Sequence, residues 1–189
     1  AVDELLKEVR RHVELGISSF ALFPAISDHL KDSTGSEGWN RDGLFPTAIR
    51  SVKEQFPNTL IFSDVALDPY SSDGHDGLVG GGVILNDETL DLLPRLAITQ
   101  ADAGADFIAP SDMMDGRVGV LRNALDDAGH SDVGILCYTA KYASALYGPF
   151  RDALDSAPRL RDDIPADKQT YQMDPANARE AERETDLDI

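Results

Sequence analysis

A chain of 189 residues, 42% of them hydrophobic, is long and apolar enough to bury one core, which excludes an intrinsically disordered protein. Its 34 Asp and Glu against 17 Lys and Arg give a formal net charge of −17, spread along the chain without a block or tail. Such a surface repels phosphate backbones and anionic membranes, so no nucleic-acid partner is expected, and no apolar run nears the roughly 20 residues that span a bilayer. The lone cysteine, Cys137, excludes an internal disulfide and a multi-thiolate zinc site, and a reducing, cytoplasmic setting is the expectation.

The N-terminal segment AVDELLKEVR reads as an amphipathic helix rather than a signal peptide, with Leu6, Val9 and Val13 at helical spacing and Gly16 as its stop. ISSFALF (17–23) reads as a buried strand ended by Pro24. A polar, Gly-rich stretch (27–43) precedes a helix over 44–56 and the strand LIFSDV (60–65). Residues 66–87 are Gly-rich and read as a long functional loop. A helix follows over 88–103, and Pro94 inside it predicts a separate or kinked first turn. FIAP (107–110) is a further strand, before a helix over 115–128 with Asp115 near its cap position. GILCY (134–138) is the last predicted strand, followed by a helix from Lys141 to about 154, an exposed polar loop (156–175) and a final charged helix.

Continuous apolar strands alternating with helices predict an α/β fold with a parallel sheet. Its closure is either an open doubly wound sheet or a (β/α)8 barrel; the first is weakened by the lack of a Gly-rich phosphate turn after any strand. Asp64, Ser111, Asp112 and Lys141 all follow strands, and in a barrel they would share the C-terminal face, where such enzymes place their chemistry. Four strands cannot close a barrel, so residues 1–189 are expected to form a single partial barrel domain, an internal fragment without its N-terminal arm and last strands.

Lys141 is the sharpest chemical signal. Apolar and aromatic neighbours flank it, and desolvation favours a neutral amine able to attack a carbonyl. The competing reading is a lysine that snorkels at a helix start. Asp64, Asp68, Asp73, His75 and Asp76 crowd one short stretch, suited to a hard cation or to acid–base work, or else merely an acidic turn-rich surface loop. Arg151 and Lys168 flank a loop and are candidates to clamp a carboxylate, although each alone reads more readily as an ordinary surface charge. Met113, Met114 and Cys137 read as packing.

SDVALDPYSSDGHDG, APSDMMDGRVG, YTAKYASALYGPFRDA and KQTYQMDPAN, in that order, resemble the porphobilinogen synthase (5-aminolevulinate dehydratase) family. That resemblance implies a (β/α)8 barrel and a hydro-lyase of early tetrapyrrole (heme) biosynthesis, joining two 5-aminolevulinates with loss of two waters through two Schiff-base lysines. Lys141 matches the first lysine. The second lies in a Val-Lys-Pro-Gly segment that does not occur here, so these residues alone are expected to be inactive. The resemblance further implies that Asp64 and Ser111 surround the reacting amine, that Arg151, Lys168 and Gln172 belong to a lid over 156–175 and its flank that holds the substrate carboxylate, and that 66–87 is the active-site loop. Ala66, Asp68 and Asp76 stand where zinc-dependent members carry cysteines, so the sequence is similar to the magnesium-responsive branch, with Asp68 and Asp76 near the second substrate's amine. Glu184 matches the carboxylate of an allosteric Mg²⁺ site, Thr139 replaces a usual Ser, and a homo-oligomer, commonly an octamer, is implied. The alternatives are an aldolase-type Schiff-base lyase on the same barrel and a degenerate barrel kept for binding.

Overall fold

The computed structural model describes residues 1–189. Helix α1 (Val2–Glu14) leads into β1 (Ser19–Leu22); α2 (Leu44–Gln55) into β2 (Leu60–Val65); and, beyond a small antiparallel hairpin of β3 (Leu78–Gly80) and β4 (Val83–Leu85), α3 (Asn86–Leu90) and α4 (Leu93–Asp102) lead into β5 (Phe107–Pro110). Helix α5 (Arg117–Asp127), β6 (Gly134–Ile135), α6 (Gly148–Leu154) and α7 (Ala178–Asp188) complete the chain.

The strands form one parallel sheet in the order β1-β2-β5-β6. Each new strand adds on the same side of its predecessor, so the order never reverses. A doubly wound sheet reverses at a switch point, whereas a barrel wall advances steadily in one direction. The helices follow the same logic. Val9 of α1, Phe45, Ile49 and Val52 of α2, Leu93 and Leu96 of α4, and Leu121 and Leu125 of α5 form one core with Ile61, Val65 and Ile108 on a single face of the sheet. The other face is the concave one. There Phe62 and Phe107 stack at 4.5 Å, and the ring of Phe107 lies where a Cβ on Gly134 would stand, so only glycine fits at the start of β6. Leu60 and Leu136 are exposed. The arc is therefore an α/β barrel wall: helices outside, an apolar lining inside.

The strands over 60–65 and 107–110 form where the sequence predicts them, and Pro94 does split its helix, sitting in the first turn of α4. Four local expectations are corrected. The loop 66–87 contains the β3–β4 hairpin, turned by Gly81 and Gly82, both at positive φ. Only Gly134 and Ile135 of GILCY pair as strand; beyond them the Leu136 and Tyr138 amides still donate to the Ile108 and Pro110 carbonyls, but Pro110 has no N–H with which to continue the ladder. No helix begins at Lys141; its carbonyl accepts from the Met173 amide and Ala143 donates to the Met173 carbonyl, so the backbone there is held extended against the end of the following loop. That loop, 156–175, is not simply exposed: Ser156, Ile164, Lys168, Gln172 and Met173 are buried.

Candidate active site

Three strand ends and two long loops meet at one rim of the sheet. Asp64, in the last turn of β2's ladder, is 3% exposed and accepts from the Ser111 hydroxyl at 2.6 Å. Its backbone carbonyl accepts from the Gln100 amide of α4 at 3.0 Å, which fixes the strand end from behind. Burial, reinforced by the neighbouring charge of Asp68, raises the Asp64 carboxyl to about 7, against the opposing pull of Ser111 and Lys141. Lys141 reaches the same place from beyond β6: its Nζ contacts the Ser111 carbonyl and lies 3.6 Å from Asp76 Oδ2. With its side chain 13% exposed, Lys141 is neither snorkelling nor sealed.

The acidic loop is internal rather than a solvated surface. Asp68, Asp73, His75 and Asp76 are all at most 8% exposed. Lys168 Nζ sits between two of the carboxylates, 2.9 Å from Asp68 and 2.6 Å from Asp76. Burial opposes the ammonium charge, yet the two aspartates outweigh it and hold Lys168 above its ordinary range. For Asp76, burial is outweighed by Lys168 and Lys141 and the carboxyl is lowered; for Asp68, burial and the charge of Asp76 prevail over the lysines and the carboxyl is raised. The asymmetry follows from distance: Asp76 has two ammonium groups beside it. Lys168 was expected to hold a substrate carboxylate; here it is the counter-ion of the acidic loop.

The 156–175 loop packs across that acidic loop at several more points. His75 Nε2 is 2.8 Å from the Pro165 carbonyl, to which it must donate, leaving Nδ1 to accept from the Tyr171 hydroxyl at 3.0 Å. Burial lowers the His75 pKa and keeps that neutral tautomer. The same Tyr171 oxygen accepts from the Asp76 amide. Asp73 pairs with Arg161 at 3.2 Å, and Gly74, at φ +73°, has the Ala157 carbonyl where a Cβ would lie. Beside the 156–175 loop is a cavity of about 290 Å³ bordered by Asp64, Ser111, Lys141, Arg151, Lys168 and Gln172, with Phe23, Tyr138, Tyr147, Phe150 and Leu154 as its apolar wall. Arg151 Nη2 donates to Gln172 Oε1 at 3.0 Å, so α6 and the lid meet over the opening.

The chain matches the delta-aminolevulinic acid dehydratase family along residues 1–189. This chain belongs to that family. It is 59% identical over 185 residues to the chloroplastic delta-aminolevulinic acid dehydratase of Physcomitrium patens, covering 97% of this chain and 42% of the relative, and 57% identical to that of Hordeum vulgare with the same coverages. The solved delta-aminolevulinic acid dehydratase (porphobilinogen synthase) of Toxoplasma gondii ME49, in complex with the reaction product porphobilinogen, is 54% identical with a TM-score of 0.94, covering 99% of this chain and 53% of that one. The arc is thus part of the family's (β/α)8 barrel, and the chain spans about two fifths of the length of the curated relatives it matches. The expected cytoplasmic setting is overturned: the relatives from moss, barley and pea are all named chloroplastic. A lone cysteine excludes an internal disulfide but does not by itself name a compartment.

Outside the cavity, Glu184 stands on α7 beside Glu180, Asp115 and Arg117 in a polar cleft. Cys137 is no strand residue; its thiol donates to Asp188 at 2.9 Å and accepts from Arg117, and burial pushes its pKa well up. Asp115 does not cap α5, whose N-cap is Gly116. Met113 and Met114 are buried packing. Sequence reasoning missed Gln100, Tyr171 and Arg117. Gln100 left a signal, a polar residue on the apolar stripe of α4, between Leu96–Ala97 and Ala101. No helix is long and apolar enough to cross a membrane.

Proposed function

We propose that this chain carries the first Schiff-base lysine and the lid of a porphobilinogen synthase, which condenses two 5-aminolevulinates to porphobilinogen in a plastid. The observation that carries the reading is the meeting of Lys141, Ser111 and Asp64 at the floor of a cavity whose mouth holds Arg151. An amine forming an imine with a ketone must lose protons and expel the carbonyl oxygen as water, and a carboxyl at about 7 beside a hydroxyl can both give and take a proton at neutral pH. Asp64 and Ser111 fill that role, and the neutral carbons of the substrate rest on the aromatic wall. The Arg151–Gln172 contact beside the cavity supports a role for both in holding the substrate carboxylate, and Lys168 joins them if it leaves Asp68 and Asp76 to the second substrate's ammonium. The family's second lysine does not occur among these residues, and a homo-oligomer is the assembly we propose for the whole protein.

We assign the chain to the magnesium-responsive branch. Its support is the donor set: Ala66, Asp68 and Asp76 offer no thiol, and the ammonium of Lys168 already occupies the space between the two carboxylates. For an allosteric Mg²⁺ held largely through water we propose Glu184, whose polar cleft also carries the carboxylates of Glu180 and Asp115. Bound there, the ion would supply a fixed positive charge against α7.

The test is borohydride reduction of the full-length protein with 5-aminolevulinate, which should fix substrate carbon on Lys141. Lys141→Ala should lose both this adduct and pyrrole formation; wild-type turnover in that variant would end the assignment. An aldolase-type lyase would form the adduct but release no pyrrole.

A further inference from the structure

The segment between β1 and α2 carries no residue expected to act in the reaction, yet it contains the most enclosed lysine of the outer rim. The Lys31 side chain is 2% exposed. Its Nζ donates to both the backbone carbonyl and the Oδ2 of Asp155, each at 2.8 Å, and lies 3.2 Å from Asp28 Oδ1. Asp155 caps α6 at φ +50°, a left-handed position where a non-glycine residue needs outside support. Arg159 closes the cluster, 3.0 Å from Asp28 and 3.2 Å from Asp155.

Lys31 has a fixed base from which to hold α6. Its neighbour Asp32 pairs with the acidic loop: the Asp32 amide donates to the Tyr70 carbonyl and the Ser72 amide to the Asp32 carbonyl. The Asp32 carboxylate in turn accepts from the amides and hydroxyls of Thr34 and Ser36, which stiffens the turn. On the other flank, Phe23 packs edge-on against Phe150 of α6, with ring centroids 5.2 Å apart. The short helix that carries Arg151, Phe150 and Leu154 into the cavity is therefore gripped at its middle by Phe23 and at its end by Lys31.

We infer that Lys31 is a positioning residue for substrate binding: through Asp155 it sets the pose of α6, and with it Arg151, relative to the acidic loop. Lys31 touches no part of the cavity, so it acts on how tightly substrate is held and not on the chemistry at Lys141. This rests on the reading of the cavity as the 5-aminolevulinate site.

The experiment is steady-state kinetics of the full-length protein with 5-aminolevulinate, for Lys31→Met, Lys31→Arg, Asp155→Asn and the Lys31→Met/Asp155→Asn double variant, with borohydride trapping on Lys141 at saturating substrate. A displaced Arg151 weakens ground-state binding, so Lys31→Met should raise KM on the order of tenfold while kcat stays within about twofold. Lys31→Arg should recover most of the loss. Asp155→Asn should raise KM less, since the carbonyl acceptor remains, and the double variant should match Lys31→Met alone because both changes cut one contact. The inference is overturned if Lys31→Met leaves KM unchanged, if it lowers kcat and Tm without moving KM, or if the double variant adds the two single effects. A wild-type protein that traps no substrate on Lys141 would instead sink the site reading itself.

Discussion

Replacing Asp64 by Asn separates the electrostatic cost of this carboxyl from its packing. Asp64 keeps its neighbours in either form, but only the acid titrates. In the unfolded chain it ionises at its ordinary 3.8, and in the fold at about 7. Below 3.8 both states hold the proton and there is no penalty. Between those values the folded state holds one proton more than the unfolded state, so stability falls as pH rises, by about 1.36 kcal/mol per pH unit. Above about 7 the loss is complete, on the order of 4 kcal/mol for a group this buried. The Asn variant has no such slope. Urea unfolding of full-length wild type and Asp64→Asn from pH 4 to 8.5 should therefore show the variant gaining on the wild type across that window and running parallel above it. Parallel curves throughout would mean that Asp64 is ionised in the fold and cannot serve as the proton donor. Asp112, also raised by burial to about 7, remains in both proteins and cancels in the comparison.

Lys168→Met should leave Asp68 and Asp76 buried without their shared cation, costing roughly 3–5 kcal/mol as for other broken buried pairs. Thermal unfolding should register this, and Lys168→Arg should restore part of it. Gly74→Ala places a methyl against the Ala157 carbonyl and forces alanine to φ +73°, the latter alone worth about 1 kcal/mol. The lid must back away, so faster proteolysis within 156–175 and a raised KM are expected, with the buried core unaffected.

Strand positions were legible because a sheet covered by helices demands continuous apolar runs, and LIFSDV and FIAP supply them. The placing of Asp64, Ser111 and Lys141 at one rim followed from parallel strands alone. The pairing of Lys168 with Asp68 and Asp76 did not, because residues 100 and 92 positions apart in the chain leave no local pattern. The extended backbone at Lys141 was hidden for a similar reason. AKYASAL has good helix formers, and only the distant Met173 overrides them. His75 looked like an ordinary loop histidine until Pro165 and Tyr171 appeared on either side of its ring.

The clasp between the acidic loop and the lid also bears on how the molecule comes to exist. The core of helices and strands is built between neighbours in sequence, α1 on α2, β1 on β2, α4 on α5. The clasp joins partners about a hundred residues apart, Asp68 to Lys168 and Asp73 to Arg161, and the chain entropy lost in closing such long loops leads us to expect them to close after the intervening wall has formed. Damage to the clasp should then leave the folding rate nearly untouched and appear as faster unfolding. The loops around the proposed site should then be the last part of the chain to arrive and the first to leave.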